Sequence, residues 1–363
     1  MKNYKIAVLP GDGVGPEIVA EGLKVIQAAL GSKYASCVFT EYPIGAALYK
    51  RMGVACPPET IEACRTSDAI YFGCAGLPDV RKEDGLEMQT GYYYRVDLDI
   101  YANIRPVKLY PGVESPIRNK KPGEIDYVVL RENIEGLYNW GKGAIQVGDQ
   151  VAITPFIVSR AGTERIVRKA FELAQKRKGA PADGKRRVTC VDKANVVEGF
   201  AFFRKIFLEV SQEYPHIESE CVYADAMTIY MLTRPEHYDV VVMENMLGDI
   251  LSDLGSATAG SLGLAPSAEI GDRYGLFQPI HGSAPDIAGK GIANPIAAIL
   301  SAAMMFEWLG EKHHDKDALA AGAKIHHAVE VVLAKGKVRT PDLGGKNKTQ
   351  EVGDAIAERA AKS

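Results

Sequence analysis

The chain has 363 residues, with 43 Lys plus Arg against 46 Asp plus Glu and a formal net charge of −3. Such a length supports two domains with cores of their own. The near-balanced charge excludes the basic footprint of a nucleic-acid or anionic-membrane binder, so any bound anion must be gripped by a local cluster.

In chain order, "KIAVLP" (5–10) predicts a short strand, "GDGVGPE" (11–17) a turn, and Pro16 with Glu17 the first turn of a helix. The residues after Met1 lack the apolar core of a signal peptide, and the longest apolar run, 296–306, is broken by Ser301 and too short for a bilayer. A soluble cytoplasmic protein with no membrane partner is the expectation. The six cysteines are scattered without a C-x-x-C pair, which argues against a disulfide framework and against zinc. Further strands are predicted at 68–73, 99–105, 126–130, 187–191 and 238–243, with amphipathic helices such as 163–177 and 197–211 between them. From Arg95 to Arg105 the odd positions are polar and the even ones apolar, the period of a half-buried strand, which would put both arginines on one face. Strands alternating with helices indicate an α/β fold with substantial parallel sheet. From about 296 onward the chain reads as helical apart from the turn-rich "RTPDLGGKNKT" (339–349).

Four stretches carry chemistry. In "ENMLGDILSDLG" (244–255), Asp249 and Asp253 are four apart and so neighbours on one helical face. Asp249 as a helix N-cap is the plain reading. A divalent metal with oxygen ligands, Mg²⁺ or Mn²⁺, is the functional one, with Asp225 in "YADAM" as a third ligand. "VDKANV" (191–196) sets Lys193 just past a strand; beside a metal and arginines its ammonium form would be disfavoured, leaving a general base. "LRENIEGLY" (130–138) places Arg131 at a strand exit and Tyr138 beyond a Glu-Gly turn. Arg95, Arg105 and Arg131 are either unrelated ion pairs or, if they converge, a pocket for two carboxylates. "PIHGSAPDIAGKGIANP" (279–295) is either a long surface turn or a nucleotide cradle with Asp286 on a ribose hydroxyl. No G-x-G-x-x-G occurs, so a nucleotide would bind in a non-Rossmann way.

Together "VLPGDGVGPE", "NIRP", "REN.EG.Y", "DKAN", "GDILSDLGSATAGSLGLAPSA", "HGSAPDIAGKGIANP" and "TPDLGG" resemble the β-decarboxylating dehydrogenases, the isocitrate and 3-isopropylmalate dehydrogenase family, over essentially the whole chain. The resemblance implies a two-domain isopropylmalate-dehydrogenase-like fold: residues 1–100 plus 260–363 as the larger, nucleotide-binding domain and 101–259 as the substrate and dimerisation domain. It implies a homodimer whose active sites borrow residues from the partner. Arg95, Arg105 and Arg131 then resemble the substrate-carboxylate arginines, Asp249 and Asp253 the metal ligands of one subunit, and Asp225 the ligand of the other. Lys193, also from the second subunit, resembles the general base, and Tyr138 the acid that protonates the enol. A cofactor site of Val14, Gln278, His281, Gly282, Ser283, Ala284, Asp286, Ile287 and Asn294 is implied. The Asp286-Ile287 dipeptide resembles NAD users, since a 2′-phosphate beside Asp286 would be repelled. Gln278 departs from the family's usual Glu, and Leu247 from a common aromatic.

By the same analogy the substrate's third substituent meets the stretch Met88 to Tyr92, while Tyr93 and Tyr94 pack; Arg95 sits just before the strand that starts at Asp99 and presents Arg105, and its place in the alternation is accidental. "REN.EG.Y" is the form seen in isocitrate, homoisocitrate and tartrate/D-malate members, and "NIRPVKLYPGVESP" and "GEIDYVVLRENIEG" look most like the tartrate/D-malate branch. The expected activity is NAD- and metal-dependent oxidative decarboxylation of a small 2-hydroxy diacid, D-malate or tartrate first. The alternatives are 3-isopropylmalate and the isocitrate/homoisocitrate group. A ligand-binding regulatory subunit is the non-enzymatic alternative, against which the intact set of Tyr138, Lys193, Asp225, Asp249 and Asp253 argues.

Overall fold

The structure is a computed structural model that describes residues 1–83, 85–138 and 143–363; the side chain of Tyr92, expected at the substrate, lies outside the described residues. The chain forms two compact units, one of Met1–Asp99, Tyr110–Glu114 and Gly260–Ser363, the other of Ile100–Leu109 and Ser115–Ala259. Up to residue 99 the elements are β1 (Tyr4–Gly11), α1 (Gly15–Leu30), β2 (Cys37–Glu41), α2 (Ala46–Met52), α3 (Pro58–Thr66), β3 (Ala69–Cys74) and α4 (Gly91–Arg95). Then come β4 (Ala102–Lys108), β5 (Asp126–Glu132), β6 (Ile145–Val147), β7 (Val151–Ile153), α5 (Arg160–Lys176), β8 (Arg187–Asp192) and α6 (Glu198–Ser211). These lead to β9 (Glu218–Tyr223), α7 (Ala224–Thr233), β10 (Val240–Met243) and α8 (Asn245–Thr258). The chain closes with β11 (Pro266–Ile270), β12 (Gly275–Pro279), α9 (Ile296–His313), α10 (Lys316–Lys335) and α11 (Thr349–Ala361).

In the first unit the strand order is β2-β1-β3-β12-β11. β1 runs parallel to both β2 and β3, β12 parallel to β3, and β11 antiparallel to β12. The chain leaves β1 for one side and returns on the other, so the carboxyl end of β1 is a topological switch point, where open α/β sheets leave a crevice. The turn Gly11–Gly15 lies there. Helix α9 is buried almost all round, which accounts for the apolar run at 296–306 as core. No described helix is long and apolar enough to cross a membrane.

In the second unit the order is β4-β5-β10-β8-β9, with β5, β10, β8 and β9 parallel and β4 antiparallel to β5. Ile166, Phe171, Phe203 and Phe207, from α5 and α6, pack on Leu130, Val188 and Val240 of the sheet. The Ser159 hydroxyl accepts from Gly162 N and starts α5 at Arg160, ahead of the predicted 163. The β6–β7 hairpin exposes Ile145, Val147, Val151 and Ile153.

Arg95 lies ahead of the strand as expected, but the strand predicted over 99–105 starts later. Arg95 ends helix α4; Leu98 N then donates to Tyr94 O, and Asp99 takes a φ of 49°. That left-handed residue breaks any continuous strand, so β4 begins only at Ala102 and the alternation before it is accidental. Strands 37–41, 218–223, 266–270 and 275–279 were not anticipated either, being short and lacking a clean alternation. All six cysteines are free thiols, and five of them are buried.

Candidate active site

The first unit builds a cradle at the switch point. Asp12 is buried and its carboxylate accepts from three backbone N–H groups, Ala46 (2.7 Å), Ala47 (2.9 Å) and Gly76 (2.8 Å). The loop after β1 is thereby pinned to two others. Gly13 has a φ of 59°, and a Cβ there would lie 1.9 Å from the Ser283 carbonyl oxygen, so only glycine permits this approach. Val14 N donates to that carbonyl at 2.8 Å, joining "GDGVG" to "HGSAPDI". Ala284 and Ile287 pack on the apolar cluster of Val14, Ile18, Cys74 and Ala293. His281 Nδ1 donates to the Gly282 carbonyl at 2.9 Å, and the Ser283 hydroxyl donates to the Gly76 carbonyl. Asn294 accepts from Ile296 N at 3.0 Å and donates to Asp342 of "TPDLGG" at 3.0 Å, a structural duty alongside its expected cofactor role. Gly282 and Asp286 are exposed on the loop. The cradle's close-approach glycine, open backbone and exposed carboxylate fit a nucleotide held without a Rossmann motif.

In the same unit Arg95 meets an unforeseen partner. Its Nε and Nη2 donate to the fully buried Glu269 at 2.9 and 2.6 Å, and Gln278 Nε2 donates to Glu269 at 2.6 Å. To hold a substrate carboxylate, Arg95 would trade part of this pairing. The contact also explains the Gln278 departure, because a glutamate there would face the buried Glu269 charge directly. Gln278→Glu is therefore expected to destabilise the fold by about 1–3 kcal/mol in urea unfolding near pH 7, with the loss shrinking in acid as a carboxyl protonates. Met88 is buried with Ala46, Ala55 and Val80, packed by Tyr49 and Tyr93, and so belongs to the core of this unit. Tyr94 is buried edge-on to Phe72 with ring centroids 5.5 Å apart.

The second unit gathers the remaining candidates at the carboxyl ends of its parallel strands. Asp249 and Asp253 stand on adjacent turns of α8, whose N-cap is Glu244, so the plain reading of Asp249 as a cap does not hold. Gly248 lets α8 lie against β5, since a Cβ there would come within 2.6 Å of the Arg131 side chain. Buried Arg105 and Arg131 both donate to Asp249 Oδ1, Arg105 at 3.1 Å; Arg105 also donates to Ser252 at 2.7 Å and lies 3.9 Å from Asp253. Arg105 sits in mid-strand opposite Val129, whereas Arg131 is near its strand's exit. The side chains of Asp249 and Asp253 remain 37% and 52% exposed. Burial pushes the Asp253 carboxyl up, Arg105 offsets part of that, and the Asp249 charge raises it again. Two hard oxygen donors sharing repulsion suit a divalent cation. Among the described residues no group of three potential metal-ligating side chains forms within the chain. Asp225, in the first turn of α7, instead accepts from Lys193 Nζ at 2.6 Å, and that ammonium holds its carboxyl below the usual range. Arg204 pairs with buried Asp192 at 2.8 Å beside Lys193 and covers the Tyr223 ring, fixing the strand ends that present Lys193 and Asp225.

Tyr138 stands 5.7 Å from the Arg131 guanidinium, ring centroid to carbon. Burial raises its hydroxyl pKa and the Asp249 charge adds to this, so it carries its proton at neutral pH, as an acid must. The adjoining Glu132 is buried; one oxygen accepts from Ile134 N (2.9 Å) and Glu135 N (2.6 Å), and the other has no hydrogen-bond partner among the described residues. Burial pushes its carboxyl up to about 8, with Glu135 raising and Arg165 lowering it. Because the folded pKa exceeds the unfolded one, the native state binds more protons between the two, and stability falls as pH rises through that window. Glu132→Gln should thus gain on the unmodified protein from pH 5 to 8, by at most about 1.4 kcal/mol per unit, in paired unfolding curves.

Residues 5–356 match the isocitrate/isopropylmalate dehydrogenase family. A 3-isopropylmalate/3-methylmalate dehydrogenase of Methanocaldococcus jannaschii is 46% identical over 357 residues, covering 98% of each chain. A probable tartrate dehydrogenase/decarboxylase of Agrobacterium vitis is 41% identical over 373 residues, covering 100% of this chain and 99% of its own. The crystal structure of an isocitrate dehydrogenase from Methylococcus capsulatus superposes with a TM-score of 0.86 at 36% identity, covering 99% of each chain. With its α/β units, its arginine–aspartate knot and its glycine-pinned cradle, the chain belongs to the isocitrate/isopropylmalate dehydrogenase family, enzymes of NAD-dependent oxidative decarboxylation of 2-hydroxy dicarboxylic acids.

Proposed function

We propose that the protein is a 3-alkylmalate dehydrogenase, oxidising 3-isopropylmalate or 3-methylmalate with NAD and a divalent metal. The knot of Arg105 and Arg131 on the half-exposed metal-side carboxylate Asp249 supports the reaction class: two buried cations, the residue type that grips carboxylates bidentately, converge beside a pair of carboxylates. The identity to the Methanocaldococcus relative supports the 3-alkyl substituent over the D-malate or tartrate expected from "NIRPVKLYPGVESP" and "GEIDYVVLRENIEG". D-malate or tartrate stays as the second reading, supported by the Agrobacterium relative.

In this reading Arg105 and Arg131 orient the substrate, with Arg95 joining them by exchange with Glu269. Lys193 takes the proton from the 2-hydroxyl. Tyr138 returns a proton to the carbon left by the departing carboxylate. Asp249 and Asp253 of one copy, with Asp225 of a second, would hold Mg²⁺ or Mn²⁺, which when bound supplies Lewis-acid polarisation of the 2-oxygen. The cradle of Val14, Gly282, Ser283, Ala284, Asp286 and Ile287 would hold NAD, the hydride acceptor, with Gln278, His281 and Asn294 at its edge. The protein would work as a homodimer, for which exposed Ile229 and Leu232 on α7, Ile250 on α8 and the β6–β7 hairpin supply apolar surface.

The test is NAD reduction with 3-isopropylmalate, 3-methylmalate, D-malate, tartrate, isocitrate and homoisocitrate, with and without Mn²⁺ and with NADP exchanged for NAD. The 3-alkylmalates should give a kcat/KM at least about tenfold above the others, since one well-packed alkyl group is worth about 1–3 kcal/mol. Tartrate or D-malate in the lead would move the protein to the second reading.

A further inference from the structure

Glu244 and Asn245 stand where β10 passes into α8, and the roles assigned so far use neither. Both are buried, 2% and 0% exposed. Glu244 caps α8 through an oxygen that accepts from Leu247 N at 3.2 Å. Its other oxygen accepts from Leu137 N at 3.2 Å, one residue before Tyr138. The preceding Gly136, at a φ of 94°, comes so near that a Cβ on it would lie 2.0 Å from Glu244 Oε1. Asn245 acts on the same segment. Its Nδ2 donates to the Glu135 carbonyl at 2.9 Å, and its Oδ1 accepts from Arg131 Nε at 2.9 Å.

Capping alone does not account for this choice of residues. A serine would cap the first turn of α8 with no buried charge, and an aspartate with a shorter side chain, whereas a desolvated carboxylate is costly unless its bonds are made. The added length of glutamate is used to reach across to the 136–137 turn. Asn245 holds the Arg131 guanidinium by its Nε, while Nη1 of the same group donates to Asp249. The loop bearing Tyr138, the arginine and the helix bearing Asp249 are therefore tied at one corner.

We propose that Glu244 and Asn245 are positioning residues for the reaction, locking the Tyr138 segment and Arg131 in register with the turn of α8 that presents Asp249. The proposal rests on the reading of Tyr138 as the acid. Neither residue touches a reacting atom; each acts through another side chain.

The experiment is a double-mutant cycle of Glu244→Gln with Tyr138→Phe, using whichever of 3-isopropylmalate, 3-methylmalate and D-malate the unmodified dimer turns over best. Glu244→Gln keeps shape but sets an N–H of the amide against one of the two backbone donors. It should lower kcat about tenfold with the KM for NAD unchanged, and less than about twofold once Tyr138 is phenylalanine. Amide exchange over 134–138, measured on the variant without substrate, cofactor or metal, should quicken about tenfold. An equal factor in both backgrounds, or unaltered exchange, would overturn the proposal. Should Glu244→Gln not fold, Asn245→Asp, which sets an oxygen against the Glu135 carbonyl, is read by the same two criteria. If Tyr138→Phe keeps full turnover, the acid assignment falls, and the exchange measurement still decides whether Glu244 holds the loop.

Discussion

Lys193→Ala should fold, bind substrate and metal, and lose on the order of 10²–10⁴ in kcat. Lys193 is one-third exposed at the end of β8, bonded to Asp225 and outside the apolar core, so its removal opens no cavity. The loss is chemical: the 2-hydroxyl proton must leave while hydride passes to NAD, and no other described lysine or histidine is proposed for that task. Steady-state kinetics with an equilibrium titration of substrate separate the two effects. Added primary amines should restore part of the rate, which a folding defect would not allow. Near-normal turnover by the variant would remove Lys193 from the mechanism.

Asp249→Asn is expected to be the more damaging of the two lesions in binding terms. Asp249 is the carboxylate on which both buried arginines converge, and neutralising it withdraws that charge from Arg105 and Arg131 together. It also weakens one of the oxygen donors proposed for the metal. The Mn²⁺ concentration for half-maximal activity should rise about 10–100-fold, with kcat down by on the order of 10². An unchanged Mn²⁺ dependence would strike Asp249 from the metal set. In the unmodified enzyme, chelation of the metal should abolish turnover.

Much of this was legible in the order of residues because the informative signals were local. A strand followed by "GDGVGPE", a strand followed by "DKAN", and aspartates four apart after "VVVM" each state position and chemistry in a few residues. The alternation from Asp99 onward set the strand start three residues early, because period two does not reveal a backbone reversal and Asp99 at positive φ is no glycine to announce one. Glu269 as the partner of Arg95 lay 174 positions away, beyond any periodicity. Met88 looked like a pocket residue by its distance from Arg95, but the side chains that enclose it come from segments around 46, 55 and 80. Asp12 carries a sequence cue in hindsight: an aspartate flanked by glycines just past a buried strand has backbone N–H groups to satisfy. Glu244 offered only the ordinary signal of a cap.

The proposed function requires one catalytic centre to draw Lys193 and Asp225 from one copy and Arg105, Arg131, Asp249 and Asp253 from another. Subunit complementation tests it most directly. Lys193→Ala and Asp249→Asn proteins, each inactive alone, are dissociated, mixed in equal amounts and reassociated, and NAD reduction is measured with the best substrate and Mn²⁺. Random pairing makes half the dimers mixed, each with one intact and one doubly damaged site, so activity should recover to about a quarter of the unmodified enzyme. A mixture no more active than its components would show that each site is built from a single chain, and the account would be wrong.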